Sequence, residues 1–199
     1  MAREHYLTLI EEHGSSYRGV GWNSEQAQII RFRHLCTMMD DPGASILDFG
    51  CGYGALADYL RTQGFHGNYT GYDLLPLSVE HARKIHRKWK SCVFTTTTTE
   101  LLPSDYTFAS GIFNVRREVD TGRWSVYVRE TLRKMATLCI RGFAFNMLPP
   151  VSSPALLKAE LYYEDPEHMA ALCKREFAGD VSVVQNYGLH DFTVHVLLS

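Results

Sequence analysis

The chain has 199 residues, of which 45% are hydrophobic, 12% aromatic and 21% charged, with a formal net charge of −2. That balance suits one compact domain over residues 1–199 and excludes both a disordered tail and the global basic field of a general nucleic-acid binder. No stretch reaches the roughly 18 uninterrupted apolar residues of a membrane span, and the charged start Met1-Ala2-Arg3-Glu4-His5 lacks a signal peptide's apolar core, so a soluble, cytoplasmic protein with no membrane partner is expected.

In chain order, residues 1–23 form an aromatic, glycine-rich N-terminal piece containing Tyr17-Arg18-Gly19-Val20-Gly21-Trp22, composed as a mobile lid would be; alternatively, Trp22 staples the first helix to the core. That helix is predicted over 24–39, with Asn23 as its cap and Gln26 three residues on, and Asp40-Asp41-Pro42-Gly43 stops it. A buried strand over 45–50 runs into glycines and a helix carrying Leu56, Tyr59 and Leu60. A second strand, 68–73, ends on Asp73, and Pro76 opens a helix on which Val79, Ala82, Ile85 and Trp89 recur at helical spacing. Strands follow at 92–96 and 106–110, then a helix at 122–138 and a strand at 140–148. Asp165-Pro166-Glu167 is a cap-then-proline start for another helix, and the runs 181–184 and 192–198 close the chain around a turn at Asn186-Tyr187-Gly188.

Strands joined by one helix each must run parallel, which gives an α/β doubly wound, Rossmann-like sheet. The last two strands have no helix between them and should pair antiparallel at the sheet edge, leaving a mostly parallel sheet with an antiparallel final edge strand. Five separated cysteines with no Cys-x-x-Cys pair fit a reduced compartment, Cys36, Cys92, Cys139 and Cys173 reading as core residues. The nine histidines are equally scattered, so no protein-bound metal is expected.

The informative segment is Ile46-Leu47-Asp48-Phe49-Gly50-Cys51-Gly52-Tyr53-Gly54. A buried strand entering a glycine turn that opens a helix lets backbone approach a ligand closely, at the carboxyl end of the sheet where ligands bind. A dinucleotide fold uses Gly-x-Gly-x-x-Gly around a pyrophosphate. Here a carboxylate precedes alternating glycines; it would repel a pyrophosphate and suit a cationic ammonium or sulfonium group.

The stretch 46–73 resembles the class I S-adenosylmethionine-dependent methyltransferases, and the likeness in strand order extends along nearly the whole chain. The resemblance implies that Asp48 faces the amino-acid moiety of the cofactor. It also implies that Gly50, Cys51, Gly52, Tyr53 and Gly54 line its methionine and ribose, that Asp73 holds the ribose hydroxyls, and that Leu74 packs on adenine. Asp73, as a loop carboxylate, is expected to add little to stability. After the third strand the family often has an acid near adenine, whereas this chain has Thr97, Thr98 and Thr99 before Glu100, so a threonine hydroxyl or backbone group substitutes.

Ala109-Ser110-Gly111 resembles the strand tip that lies beside the transferable methyl in small-molecule methyltransferases, so Ser110, Gly111 and Trp22 join the cofactor set. The Asn/Asp-Pro-Pro-aromatic tetrapeptide of amino-methylating nucleic-acid enzymes is missing there, and Asn146-Met147-Leu148-Pro149-Pro150 stands on the wrong strand. The implied partner is a small-molecule or glycan-type hydroxyl or amine acceptor, not nucleic acid; Arg83, Lys84, Arg87, Lys88 and Lys90 read as a solvated helix face. Catalytic candidates are Tyr17 and Asn114, with His13 behind them, and the insertion 148–165 should build acceptor selectivity. Two rival readings are a non-methylating enzyme releasing methylthioadenosine and a silent cofactor-binding relative.

Overall fold

A computed structural model describes residues 2–198. The chain opens on a helix, α1 (Ala2–His13), within the segment expected to be a lid. Helix α2 (Glu25–Leu35) follows, its N-cap being Ser24, whose hydroxyl accepts from the Ala27 N–H at 3.1 Å; the cap lies one residue beyond the expected Asn23. Next come β1 (Ile46–Phe49), α3 (Ala55–Thr62), β2 (Tyr69–Tyr72), α4 (Pro76–His86) and β3 (Cys92–Thr95). The chain continues with β4 (Ser104–Ala109), α5 (Thr121–Thr137) and β5 (Cys139–Met147), then α6 (Pro166–Glu176), β6 (Gly179–Val184) and β7 (Phe192–Leu198). Pro76 and Pro166 each occupy the first turn of their helix, where a missing N–H costs nothing, and Asp165 caps α6 by accepting from the His168 N–H.

The seven strands run in the order β3-β2-β1-β4-β5-β7-β6. Strands β1 to β5 pair parallel, whereas β7 pairs antiparallel with both β5 and β6. Alternation along the strands feeds two cores. Tyr106 and Phe108 face α2, α3 and α4 with Leu35, Leu56 and Val79. Phe143, Phe145, Val194 and Val196 face α5 and α6 with Leu132, Met135 and Leu172. Strand order reverses between β1 and β4, so their carboxyl ends leave a crevice at the point where open α/β sheets take ligands. No helix among the described residues is long and apolar enough to cross a membrane.

Candidate active site

The glycine turn rises from the end of β1. Gly50, Gly52 and Gly54 have φ of 92°, 54° and 87°, the left-handed region that only glycine enters without strain. Two N–H groups of the turn, those of Gly50 and Cys51, donate to the Tyr72 carbonyl at 2.7 and 2.9 Å and so bind it to β2. Asp73 locks the same junction: its Oδ2 accepts from the Gly52 N–H and its Oδ1 from the Leu75 N–H, both at 2.9 Å. These two bonds tie Asp73 into the turn, which a loop carboxylate adding little to stability would not need. Burial pushes its pKa up, and the two N–H donors oppose that rise.

Asp48 points into the base of the crevice and is 2% exposed. Its Oδ2 accepts from the Tyr69 hydroxyl at 2.5 Å, while its Oδ1 has no partner among the described residues. Burial above all, with the nearby Asp73 charge, pushes its pKa up to about 7 against the lowering effect of the Tyr69 bond. A buried carboxylate with one oxygen unpartnered among the described residues, beside a glycine-rich turn, fits the ammonium-bearing end of S-adenosylmethionine.

The β4 tip forms the opposite wall. Asn146, fully buried on β5, accepts from the Gly111 N–H at 2.7 Å and fixes that turn. A Cβ on Gly111 would lie 2.4 Å from the Trp22 ring, so glycine lets the indole close over the tip. Trp22 lies on Arg31, the guanidinium 4.0 Å from the ring centroid, and Arg31 in turn bonds the Ala27 carbonyl and pairs with Asp191. Trp22 thus lines the crevice and stacks on Arg31 of α2. Asn114 is 6% exposed and lines the same space, with its Oδ1 unpartnered among the described residues.

Helix α1, the face of α5 and the segment after β5 roof the crevice into a cavity of about 750 Å³. That volume lies in the upper part of the range for ligand sites, roughly 300–1,000 Å³. Most sequence-predicted site residues meet in its lining: Asp48, Gly50, Cys51, Gly52, Tyr53, Asp73, Leu74, Ser110, Gly111, Trp22 and Asn114. Leu74 is 65% exposed there, an apolar side chain without a protein neighbour to cover it.

Other predicted positions lie elsewhere. Gly54 lies behind the turn as the N-cap of α3, packed against His86. Tyr17 and His13 do not line the cavity; the Tyr17 hydroxyl accepts from the Arg18 Nε at 3.1 Å. Thr97, Thr98, Thr99 and Glu100 are outside the lining too. In the basic run, Arg83 donates to the Phe94 carbonyl and Lys84 pairs with Glu80, away from the cavity.

The structure adds His5 and Tyr6 from α1, Arg117 from the β4–α5 loop and Tyr127 from α5. Burial, with Asp73 and Tyr127 adding, pushes the Tyr6 phenol up to about 12, so it stays a hydrogen-bond donor. Burial and then Arg117 lower the His5 pKa, which keeps its imidazole neutral at pH 7. The insertion is stitched to the β4–α5 loop: the N–H groups of Arg116 and Arg117 both donate to the Glu160 carbonyl at 2.9 Å, and the Tyr162 N–H to the Asn114 carbonyl.

A doubly wound sheet carrying an antiparallel β7, with an acid and alternating glycines at the end of β1, defines a class I S-adenosylmethionine-dependent methyltransferase. The Methyltransferase domain family matches residues 21–139, and the chain belongs to it. It is 40% identical over 153 residues to Rv1506c of Mycobacterium tuberculosis, a protein with a provisional methyltransferase name; the match covers 76% of this chain and 92% of the relative.

Among solved structures, the magnesium protoporphyrin IX methyltransferase of Synechocystis with bound S-adenosylhomocysteine superposes with a TM-score of 0.70 at 13% identity, covering 100% of this chain and 98% of that one. The 1,6-didemethyltoxoflavin N1-methyltransferase of Burkholderia thailandensis gives 0.65 at 20% identity, covering 100% and 91%. Both likenesses concern the fold.

Proposed function

We propose that this methyltransferase acts on a small molecule at a hydroxyl or amine group, within one domain spanning residues 1–199 and in the cytoplasm. The observation that carries the reading is one cavity whose lining holds two buried acceptors unpartnered among the described residues, Asp48 Oδ1 and Asn114 Oδ1. Glycan-type hydroxyls fall within the same class of acceptor, and nucleic acid does not: the basic run of α4 lies away from the cavity. The cytoplasmic assignment is supported by five cysteines that are free thiols.

When bound, S-adenosylmethionine supplies an electrophilic methyl on a sulfonium centre and leaves as S-adenosylhomocysteine. Asp48 would pair with its ammonium, the turn from Gly50 to Tyr53 would hold its methionine and ribose, Asp73 would take the ribose hydroxyls and Leu74 would cover adenine. Asn114 accepts a hydrogen bond from the acceptor's O–H or N–H and so aims the remaining lone pair across the cavity. As the methyl transfers, neutral His5 in the same lining replaces Asn114 as the partner of that O–H or N–H and takes the proton the group loses. Such a site acts mainly by holding two reactants in near-attack geometry and excluding water.

Calorimetric titration with S-adenosylhomocysteine tests the cofactor seat; no binding at millimolar concentration would sink the reading. Mass spectrometry of S-adenosylmethionine incubated without acceptor should show no enzyme-dependent methylthioadenosine. Its formation would establish the non-methylating alternative.

A further inference from the structure

The lining carries four cations and four carboxylates, so burial and pairing, not the count, single out one of them. Lys134, Lys158, Glu130 and Glu160 are exposed, and Arg31 pairs with Asp191. Arg117 remains. Its guanidinium has no hydrogen bond or ion pair among the described residues, although it is half-buried in the lining beside His5 and Tyr6.

Arg116, the residue before it, is spent on structure: its Nε donates to the Leu161 carbonyl and its Nη1 to the Val119 carbonyl. The backbone of Arg117 is held at φ 55°, a left-handed position uncommon for a side-chain-bearing residue, by its N–H bond to Glu160. The loop thus presents Arg117 in the lining that also holds Asn114, three positions earlier in the chain, whose Oδ1 has no partner among the described residues. The same lining includes the aromatic and aliphatic side chains of Tyr6, Tyr127, Trp124, Ile112 and Leu148.

Resting on the methyltransferase reading above, we propose that the acceptor is a planar aromatic acid. Its carboxylate is held by the Arg117 fork, and its O–H or N–H donates to Asn114. The forked donors of a guanidinium match the two oxygens of a carboxylate, and the flat apolar walls accept a ring between the two anchors. Arg117 is then the residue that selects acids over neutral analogues.

The test uses the full chain saturated with S-adenosylhomocysteine and titrated with para-hydroxybenzoate and para-hydroxybenzamide, which share ring and hydroxyl and differ in charge. Wild type is expected to bind the acid at least about tenfold more tightly, the worth of one charge-assisted hydrogen bond. Arg117→Gln is expected to bring acid and amide to parity and Arg117→Lys to keep part of the preference, both with wild-type affinity for S-adenosylhomocysteine. Equal affinities in wild type, no measurable binding of either compound, or an undiminished preference in Arg117→Gln overturns the proposal. A loss of S-adenosylhomocysteine affinity in Arg117→Gln also overturns it, placing the guanidinium on the cofactor. Failure of S-adenosylhomocysteine to bind wild type would overturn the cofactor reading beneath it.

Discussion

At the scale of single residues the site is made by two carboxylates with opposite relations to the fold. Asp48 is buried with one oxygen empty, and its pKa of about 7 lies far above the ordinary carboxylate range. A carboxyl whose folded pKa is raised gives its stability fully only at acid pH, and that stability is lost as pH rises towards about 7. Without its cofactor, wild type should therefore weaken through this window. Asp48→Asn should remove that component, so its thermal midpoint above pH 7 should exceed that of unliganded wild type, since the amide oxygen still accepts from Tyr69. Affinity for S-adenosylmethionine should fall at least about tenfold, a charge-assisted bond being lost. The rise of wild-type affinity with pH, as Asp48 ionises to meet a cation, should vanish in the variant. Calorimetry on either side of pH 7 reads this, and a retained pH dependence would assign it to another group.

Asp73 is the reverse case, a carboxylate on which the turn depends. Asp73→Ala leaves the N–H groups of Gly52 and Leu75 without their acceptor, at about 1–3 kcal/mol for each donor that stays buried. The variant should unfold at lower temperature and also bind the cofactor about ten- to a hundredfold more weakly. Asp73→Asn keeps one acceptor oxygen and should recover part of the stability while affinity stays low. An unchanged midpoint in Asp73→Ala would show that water replaces both bonds.

At the scale of elements, what could be read in the sequence was what local chemistry determines. Pro76 and the Asp165-Pro166 pair announced α4 and α6 because capping is settled within one turn. At α2 the chain offered two adjacent capping residues, and Ser24 won over Asn23 because its extended backbone aims Oγ at the Ala27 N–H. Helix α1 was not visible: its start carries no cap-and-proline signature, and its apolar residues Tyr6 and Ile10 face the cavity, so tertiary packing makes it a roof. For the same reason Tyr17 was over-read. It sits among lid residues in sequence but outside the lining in space, whereas Arg117 reaches the cavity from the β4–α5 connection and Tyr127 from α5.

The union of α2 with the β6–β7 connection was equally hidden, since a pair between Arg31 and Asp191 leaves no local signature. Their side chains are 10% and 0% exposed, and breaking such a pair from one side costs about 3–5 kcal/mol. Asp191→Ala should therefore lower the unfolding free energy by that amount. It should also weaken cofactor binding, because Trp22 rests on Arg31. Arg31→Met with Asp191→Leu should be the more stable of the two proteins. Denaturant titration of both checks the order, and a harmless Asp191→Ala would mean that the pair is not maintained in solution.

At the scale of the whole molecule, the alternation of strand and helix gave the parallel sheet, because each crossover forces the direction of the next strand. The position of β7 between β5 and β6 follows from composition: Phe192 to Val196 are buried on both faces, as an inner strand requires, whereas β6 is half-exposed along its length. The cavity belongs to no single segment. Its floor is β1 and β2, its wall the β4 tip, and its roof α1, α5 and the segment after β5, so a ligand filling it should tie these parts together. S-Adenosylhomocysteine at about a hundred times its dissociation constant should add about 2.7 kcal/mol to unfolding, about 5–10 °C for a chain of this size. Amides of α1 should gain protection from hydrogen exchange more than those of the central strands, which open only with the global transition. Gly52→Val is the control. Its Cβ would meet Val20 Cγ1 at 2.8 Å, at a φ of 54° that a branched residue resists, so the change distorts the turn and displaces the segment that leads from α1 to α2. The sheet is expected to survive, judged by circular dichroism, while the thermal shift and the protection of α1 both disappear. A full shift in Gly52→Val would mean that the ligand stabilises the protein from a place other than this turn.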